Sequence, residues 1–288
     1  MKWTRGTQND DVVDARGSRV SGGVKVGAGG AVGLLVLVIV SQVLGVDVTG
    51  LLGGSGGGTS SSPSATNHTN HPPQGPDADA ETVDFIKFVM KDIQDTFASQ
   101  YAAEGKSYRR AKLIIFTEEV DTKCGRSSAA IGPFYCPPDE KAYIDLSFCQ
   151  LLKNQLGAPG DFAQAYVLAH EIGHHLQTLN GLESTVQKLP SDKRSRNAAS
   201  VRQELQADCF AGVWAHSAYA RKLLEIGDLD EALKAASQIG DDRLQKEAGR
   251  EVNAETFTHG TSEQRMKWFR RGYDTGQFSV CDTFSQAP

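Results

Sequence analysis

The chain has 288 residues and a formal net charge of −5 at pH 7, because 35 acidic side chains outnumber 30 basic ones. No long basic run follows residue 30, so we predict no nucleic-acid partner, since phosphate binding requires clustered Lys and Arg. Glycine and serine crowd the first quarter of the chain. We therefore expect the packed core to come from residues 80–288, which are enough for one domain.

The longest apolar segment is Val26–Val46, and its 21 residues would span about 30 Å as a helix, enough to cross the hydrocarbon core of a bilayer. Five basic residues precede it: Lys2, Arg5, Arg16, Arg19 and Lys25. We predict a single-pass anchor in the cell membrane, with residues 1–25 as a cytoplasmic tail and the folded domain on the extracytoplasmic side. The alternative is a cleaved signal peptide. That needs a shorter apolar core and an Ala-x-Ala-like site, which Asp47–Gly50 does not provide.

Composition and apolar spacing divide the remainder of the chain. Residues 47–79 are rich in Gly, Ser and Pro and predict a disordered, flexible linker. Apolar residues at helical spacing predict a helix over residues 80–103. The run Lys112–Glu118 predicts a buried strand, and Phe134–Cys136 with Ala142–Phe148 predict a hairpin. Helical patterns then follow at about 160–180, 197–225, 228–238, 241–253 and 262–274. A few strands followed by many helices are typical of an α+β domain, here mostly helical with a small sheet.

One helical segment carries an HExxH motif, His170-Glu171-Ile172-Gly173-His174. The two histidines are four residues apart and lie about 200° around the helix from its apolar stripe, so the helix can pack on one face and present both imidazoles on another. Neutral imidazoles suit zinc. The neighbouring Glu171 lies where a carboxylate can take a proton from zinc-bound water and return it to a leaving amine. We predict His170 and His174 as metal ligands and Glu171 as the general base.

A catalytic zinc site takes three protein ligands, and the third candidate lies on the helix downstream. Glu204 and Asp208 are four residues apart and project from one face. We predict Glu204 as a zinc ligand, and Asp208 as the acceptor of a hydrogen bond from the outer nitrogen of a ligand histidine. The alternative is a solvated acidic pair. The surrounding residues 207–212 are too apolar to favour it, since unpaired carboxylates are costly to bury.

These motifs resemble known metallopeptidases. The HExxH helix followed by Glu204-Leu205-Gln206-Ala207-Asp208 is similar to the two-helix site of glutamate zincins. The whole chain resembles the "putative neutral zinc metallopeptidase" family of membrane-anchored bacterial proteins. The stretches that carry this resemblance are Met1-Lys2-Trp3, Val13–Gly17, Gly132–Pro137, Ala169–His175, Glu204–Gly212, His259–Arg265 and Cys281–Phe284.

The resemblance implies a zincin-like fold, a zinc cofactor and a peptide or protein substrate. Zincins place an edge strand above the metal, where an extended peptide pairs with it. Because Ala142–Phe148 is the last predicted strand before the motif helix, that carry-over assigns it to substrate binding.

Two histidines outside the ligand set have less specific patterns. His175 follows the second ligand, and we expect it to be structural. His259 lies in a polar loop before the last helix. It is either a helix-end residue without a catalytic role or a catalytic residue that stabilises the oxyanion formed on water attack.

The combined features predict a membrane-anchored zinc metallopeptidase that hydrolyses peptide bonds by attack of zinc-bound water, with Glu171 as base. The alternative is a non-catalytic, membrane-tethered module that keeps zinc for stability or binding. The presence of Glu171 favours the enzyme, because a module that only binds zinc does not need this carboxylate.

All five cysteines follow the predicted anchor, where disulfides can form. Cys124 and Cys136 flank a short loop, and we predict a bridge between them. A second predicted bridge joins Cys209, beside Asp208, to Cys281 near the C-terminus, which leaves Cys149 as a buried free thiol. Five cysteines with one left free allow fifteen pairings, and buried reduced thiols throughout are a further alternative.

Overall fold

The computed structural model describes residues 1–17, 77–154 and 160–285. The predicted anchor at 26–46 and the linker up to residue 76 lie outside the described residues. Among those that are described, no helix combines the length and the apolar character that crossing a membrane requires. The described part is a mixed α and β structure that is mostly helical, as the sequence predicts.

A four-stranded sheet lies on one side of the helical core. Its strands are β1 (Val12–Asp14), β2 (Lys112–Phe116), β5 (Phe134–Cys136) and β6 (Lys141–Asp145), in the order β1-β2-β6-β5. β1 and β6 are parallel to β2, and β5 is antiparallel to β6. A separate two-stranded hairpin comprises β3 (Glu119–Thr122) and β4 (Gly125–Ser128).

The helices follow the sheet in the chain, apart from the first. They are α1 (Ala80–Ala103), α2 (Ser147–Asn154), α3 (Asp161–Leu179), α4 (Leu182–Val186), α5 (Lys193–Ala220), α6 (Asp228–Gln238), α7 (Asp241–Glu247) and α8 (Ser262–Thr275). The amphipathic pattern gives α1 the predicted bounds. Its apolar face, with Ile86, Val89 and Ile93 fully buried, packs into one core shared with the sheet and with α3, α5 and α8.

The N-terminal segment differs from its prediction. The sequence predicts a tail over residues 1–25 that is separate from the domain beginning at residue 80. Residues 1–17 instead pack on that domain, and β1 pairs with β2 in the register Val12↔Leu113. Three strand residues give too short a pattern for detection from sequence, and only the partner strand makes the segment extended.

The hairpin of β5 and β6 is confirmed, but its second strand is shorter than predicted. The sequence predicts a strand over Ala142–Phe148, whereas β6 ends at Asp145 and α2 begins at Ser147. Asp145 Oδ1 accepts a hydrogen bond from the Ser147 backbone N–H at 2.8 Å, which starts the helix. The position of β6 in the sheet also differs from the prediction of an edge strand. β6 lies between β2 and β5, so both of its edges are already paired and it cannot receive a substrate backbone.

Small residues let the site helices approach closely. A Cβ on Gly173 of α3 would lie 2.8 Å from the Ala207 Cα of α5. A Cβ on Gly212 of α5 would lie 2.0 Å from the Phe269 carbonyl oxygen, and one on Gly272 of α8 would lie 2.0 Å from the Cys209 carbonyl oxygen. Real Cβ atoms do not tolerate such distances, because interiors are close-packed. The α3–α5 and α5–α8 crossings therefore depend on glycine.

The predicted disulfides are confirmed. Cys124, in the β3–β4 turn, bridges Cys136 at the end of β5, with Cα atoms 5.9 Å apart. Cys209 bridges Cys281 with a Cα separation of 5.5 Å, and the Gln206 side chain also donates to the Cys281 carbonyl at 2.9 Å. Cys149 is a buried free thiol. The second bridge ties the C-terminal segment to α5.

Candidate metal centre and active site

The HExxH motif lies on α3, which the core holds through its apolar stripe. Leu168, Ile172 and Leu176 are at most 1% exposed. On another face, the rings of His170 and His174 lie 4.8 Å apart between centroids. His170 is 6% exposed, while the His174 side chain keeps 20% of its surface in solvent. The pair is therefore reachable by water from the side of His174.

Glu204 on α5 completes a group of three possible ligands. Its Oε2 lies 3.1 Å from His170 Nε2, and its Oε1 lies 3.5 Å from His174 Nε2. One ligand atom from each of the three residues lies within 4.8 Å of the other two. Two ligand atoms on a tetrahedral zinc are about 3.4 Å apart when each is about 2.0–2.1 Å from the metal. The spacing and the N, N, O donor set therefore fit zinc.

Electrostatics favour the ionised form of the Glu204 carboxyl, the form that a metal ligand requires. Burial alone would raise the pKa of this carboxyl, but His174 and His170 hold it well below its usual range, with a smaller contribution from His259. Glu171 differs, because burial raises its pKa and the two histidines offset only part of that rise. Two neighbouring carboxyl groups thus have opposite shifts, as expected for an ionised ligand and a proton-carrying base.

Asp208 orients His170, the first candidate ligand. Its Oδ1 accepts a hydrogen bond from His170 Nδ1 at 2.8 Å and from the Tyr166 hydroxyl at 2.6 Å. A proton on Nδ1 leaves Nε2 with the lone pair that faces Glu204 and His174, which is the tautomer a metal needs. Asp208 is completely buried, and the pKa of its carboxyl is lowered by Arg265 and His170 although burial opposes this.

Arg265 of α8 is a site residue that the sequence analysis did not identify. Its guanidinium is 1% exposed and donates to both oxygens of Asp208, with Nε at 2.8 Å from Oδ2 and Nη2 at 2.9 Å from Oδ1. Nη2 also lies 3.9 Å from Glu204 Oε2. The glycine contacts between α5 and α8 bring this side chain to the site. Its only sequence signal is its place in the family-like stretch His259–Arg265.

Gln177 is a second residue that the sequence analysis missed. His174 Nδ1 donates to Gln177 Oε1 at 2.9 Å, and the Gln177 amide nitrogen donates to the Gln203 backbone carbonyl at 2.6 Å. This chain of hydrogen bonds fixes His174, the second candidate ligand, against α5. Residues three apart on a helix are neighbours, so the spacing of His174 and Gln177 was a usable signal.

His175 is structural, as predicted. Its Nε2 donates to the Arg109 backbone carbonyl at 2.6 Å, and its Nδ1 accepts from the Tyr135 hydroxyl at 2.9 Å. Tyr135 is the central residue of β5. The motif helix is thereby tied to the edge strand.

His259 lies close to the site without joining the ligand group. It is 7% exposed and lies near enough to Glu204 to help lower the pKa of that carboxyl. Its Nδ1 lies 3.3 Å from Asp241 Oδ1 and 2.9 Å from the Thr258 hydroxyl. Asp241 Oδ2 accepts the backbone N–H groups of Thr258, His259 and Gly260 at 2.7, 2.6 and 3.0 Å. One carboxylate therefore fixes both the loop and the ring.

A second acidic cluster is less suited to zinc. Asp161, Asp228 and Glu231 also bring three carboxylate oxygens within 4.8 Å of one another. The amino group of Met1 lies among these side chains, 2.5 Å from Asp161 Oδ1 and 3.4 Å from Asp228 Oδ1. The cluster has no imidazole and is already paired with a cation, so we assign no metal to it.

Comparisons with known proteins show the family of the chain. The chain is similar to the protein YpfJ of Escherichia coli K12, described as uncharacterized, with 43% identity over 298 aligned positions that cover both chains fully. It is also similar to the uncharacterized protein Rv2575 of Mycobacterium tuberculosis H37Rv, with 44% identity over 191 positions, 62% of this chain and 64% of that protein. No solved structure matches. Residues 1–284 match the family described as "Putative neutral zinc metallopeptidase". The chain therefore belongs to the Putative neutral zinc metallopeptidase family.

Proposed function

We propose that this protein is a zinc-dependent peptidase that hydrolyses peptide bonds in peptide or protein substrates. The observation that carries the proposal is the convergence of His170, His174 and Glu204 within 4.8 Å, with the buried carboxyl of Glu171 beside them. The family supports the same class of reaction. Three protein ligands and a partly exposed face are typical of a catalytic zinc site, whereas structural sites are closed by four ligands.

The chemistry divides between the metal and the side chains. Zinc would be held by His170, His174 and Glu204, and it would supply a Lewis acid for polarising the scissile carbonyl and acidifying water. Glu171 accepts the proton that the attacking water loses as its oxygen bonds to the carbonyl carbon. The same carboxyl then donates that proton to the amine nitrogen as the C–N bond breaks. A raised pKa suits this double role, because the group must both accept and release the proton near neutral pH.

His259 is proposed as the residue that stabilises the oxyanion. Its Nδ1 is held by Asp241 and Thr258, which leaves Nε2 as the nitrogen available to the substrate. A hydrogen bond aimed at the charge that develops during water attack lowers the barrier, because the donor is positioned before the reaction.

The substrate backbone is proposed to pair with β5. This strand ends the sheet order, so among the described strands its outer edge carries no partner. Extended peptides bind such edges through main-chain hydrogen bonds. The hydroxyl of Tyr135, in the centre of β5, is hydrogen-bonded to His175, which is next to the ligand His174 in the chain. A peptide on this edge would therefore run beside the metal centre. β5 replaces β6 in this role.

The test of the proposal uses the full-length protein and a mixture of unstructured peptides, with products identified by mass spectrometry. Cleavage is expected to stop on complete removal of metal by a chelator and to return with one equivalent of zinc. Glu204→Gln serves as the ligand control and should neither hold zinc tightly nor cleave. Cleavage that survives metal removal would contradict the proposal. Zinc binding without any cleavage would favour the non-catalytic zinc module instead.

Attachment to a membrane through residues 26–46 stays a prediction. It concerns where the enzyme acts and not the chemistry of the site.

A further inference from the structure

The N-terminal segment, residues 1–17, is integrated into the domain by backbone pairing. β1 fills the edge of β2 that β6 leaves open. The Leu113 N–H donates to the Asp11 carbonyl at 2.7 Å, and the Ala15 N–H donates to the Ile115 carbonyl at 2.8 Å. Further from the sheet, the Lys2 N–H donates to the Leu223 carbonyl at 2.7 Å. Main-chain bonds at three places along the segment hold it in one register.

Several side chains of residues 1–17 are also buried against the domain. Met1 and Val12 are 5% and 8% exposed, and Trp3 packs edge-on against Phe85 of α1 with ring centroids 5.5 Å apart. Asp11 is 8% exposed and accepts hydrogen bonds from Gln94, Arg110 and Lys112. A buried carboxylate is tolerated when it is paired in this way. The contact therefore has an apolar core and satisfied polar groups, like the interior of a domain.

A single guanidinium joins the two ends of the intervening chain. Arg16 lies 2.8 Å from Asp14, 2.6 Å from Asp77 and 3.0 Å from Asp79, each measured from a guanidinium nitrogen to a carboxylate oxygen. The Arg16 side chain is 20% exposed, so these pairs are partly shielded from solvent. Residues 16 and 77, on either side of the stretch that the structure does not describe, thus lie next to each other on the domain.

This docking bears on membrane topology. One crossing between residues 17 and 77 would put residues 1–17 and 77–285 on opposite sides of a bilayer whose hydrocarbon core is about 30 Å thick. Hydrogen bonds of 2.7–2.8 Å between them require the same side. We propose that residues 1–17 lie on the same side of the membrane as the metal centre, in place of the cytoplasmic position that basic residues alone predict. The disulfides Cys124–Cys136 and Cys209–Cys281 favour the oxidising side for both.

This inference does not depend on the proposed enzymatic activity, and labelling of single cysteines in the full-length chain tests it. Gln8→Cys reports on the N-terminal segment and Gln187→Cys on the domain, because both positions are exposed. Each is placed in a Cys149→Ala background, which removes the free thiol. Spheroplasts of expressing cells are treated with a membrane-impermeant maleimide, and labelling after lysis gives the maximum for each position.

The expected result is equal fractional labelling of both cysteines in intact spheroplasts. Equal protection of both until lysis also supports a shared side. Labelling of one position before lysis and of the other only afterwards would overturn the proposal.

A crosslinking experiment in cells tests separately whether residues 1–17 dock on the domain. It uses the double variant Arg5→Cys with Glu81→Cys, because these two side chains form an ion pair. A short bis-maleimide should give the crosslinked tryptic peptide from this variant. The matched control, Arg5→Cys with Glu251→Cys, uses an exposed site that has no contact with Arg5 in the structure, and should give none. Equal yields from the two pairs, or none from the first, would overturn the docking.

Discussion

Replacing Asp208 with Asn should weaken zinc binding and destabilise the fold together. The carboxylate accepts four hydrogen bonds of 2.6–2.9 Å, from Tyr166, from His170 and twice from Arg265. An amide has one acceptor oxygen, so its NH₂ group must face either the guanidinium or the pair of Tyr166 and His170. In either orientation Arg265, which is 1% exposed, loses its closest counter-charge, because the amide is neutral.

The magnitudes follow from the two effects. Breaking a buried ion pair costs about 3–5 kcal/mol of folding free energy, because the remaining charge is uncompensated. Loss of a residue that orients a ligand histidine weakens metal binding by about 10–100-fold, equivalent to about 1.4–2.7 kcal/mol. Asp208→Asn should therefore show both losses. Glu263→Gln, an exposed carboxylate on the same helix as Arg265, should change stability by less than about 0.5 kcal/mol.

Two measurements check this. Zinc affinity is obtained by competition with a chromophoric chelator, and stability by urea unfolding of the metal-free chain. Adding Arg265→Met to Asp208→Asn should recover part of the stability, because it removes the orphaned charge, but should not restore zinc affinity. A folded Asp208→Asn protein with zinc affinity within twofold of wild type would refute the role of Asp208 in orienting His170.

Four further predictions concern the frame of the site. Gly173→Ala should lower the free energy of unfolding by about 1–3 kcal/mol through overpacking and should weaken zinc binding, because its Cβ would lie 2.8 Å from a backbone atom of α5. Calorimetry measures the stability and zinc titration measures the affinity. Asp241→Asn should lower the rate of peptide cleavage and leave zinc content unchanged. Burial raises the pKa of Asp241, but the hydrogen bond from His259 holds it below its usual value. The ionised Asp241 should therefore stabilise the folded state fully above about pH 4, and this contribution should be lost as the pH falls through the lower folded-state pKa. Urea unfolding at a series of pH values measures the loss. Replacing Cys209 and Cys281 with Ser should lower the free energy of unfolding by about 2–5 kcal/mol, which is measured as a lower urea concentration at the unfolding midpoint.

The local parts of the site were predictable because helical spacing fixes them. His170 with His174, and Glu204 with Asp208, are each four residues apart, and this spacing alone places each pair on one helix face. Chemistry then limited the metal to one that imidazole and carboxylate bind. The bounds of α1 were likewise set by its own amphipathic pattern.

The parts that were missed depend on contacts between distant segments. Arg265 reaches Asp208 only because Gly212 and Gly272 bring α5 and α8 together, and no local pattern signals a partner 57 residues away. The position of β6 inside the sheet depends on its pairing with β2, which comes 29 residues earlier in the register Lys112↔Lys141. β1 is a strand only in the presence of β2. Such pairings are set by the packed core and not by local propensity.

The most direct test of the central claim compares wild type with Glu171→Gln, measuring zinc content and peptide cleavage on the same full-length samples. Both proteins are expected to hold one zinc per chain, because the ligands His170, His174 and Glu204 are unchanged. Only wild type should cleave at an appreciable rate, and loss of the base should slow the reaction by about 10²–10⁴-fold. Cleavage by Glu171→Gln at the wild-type rate, with zinc in place, would contradict the account.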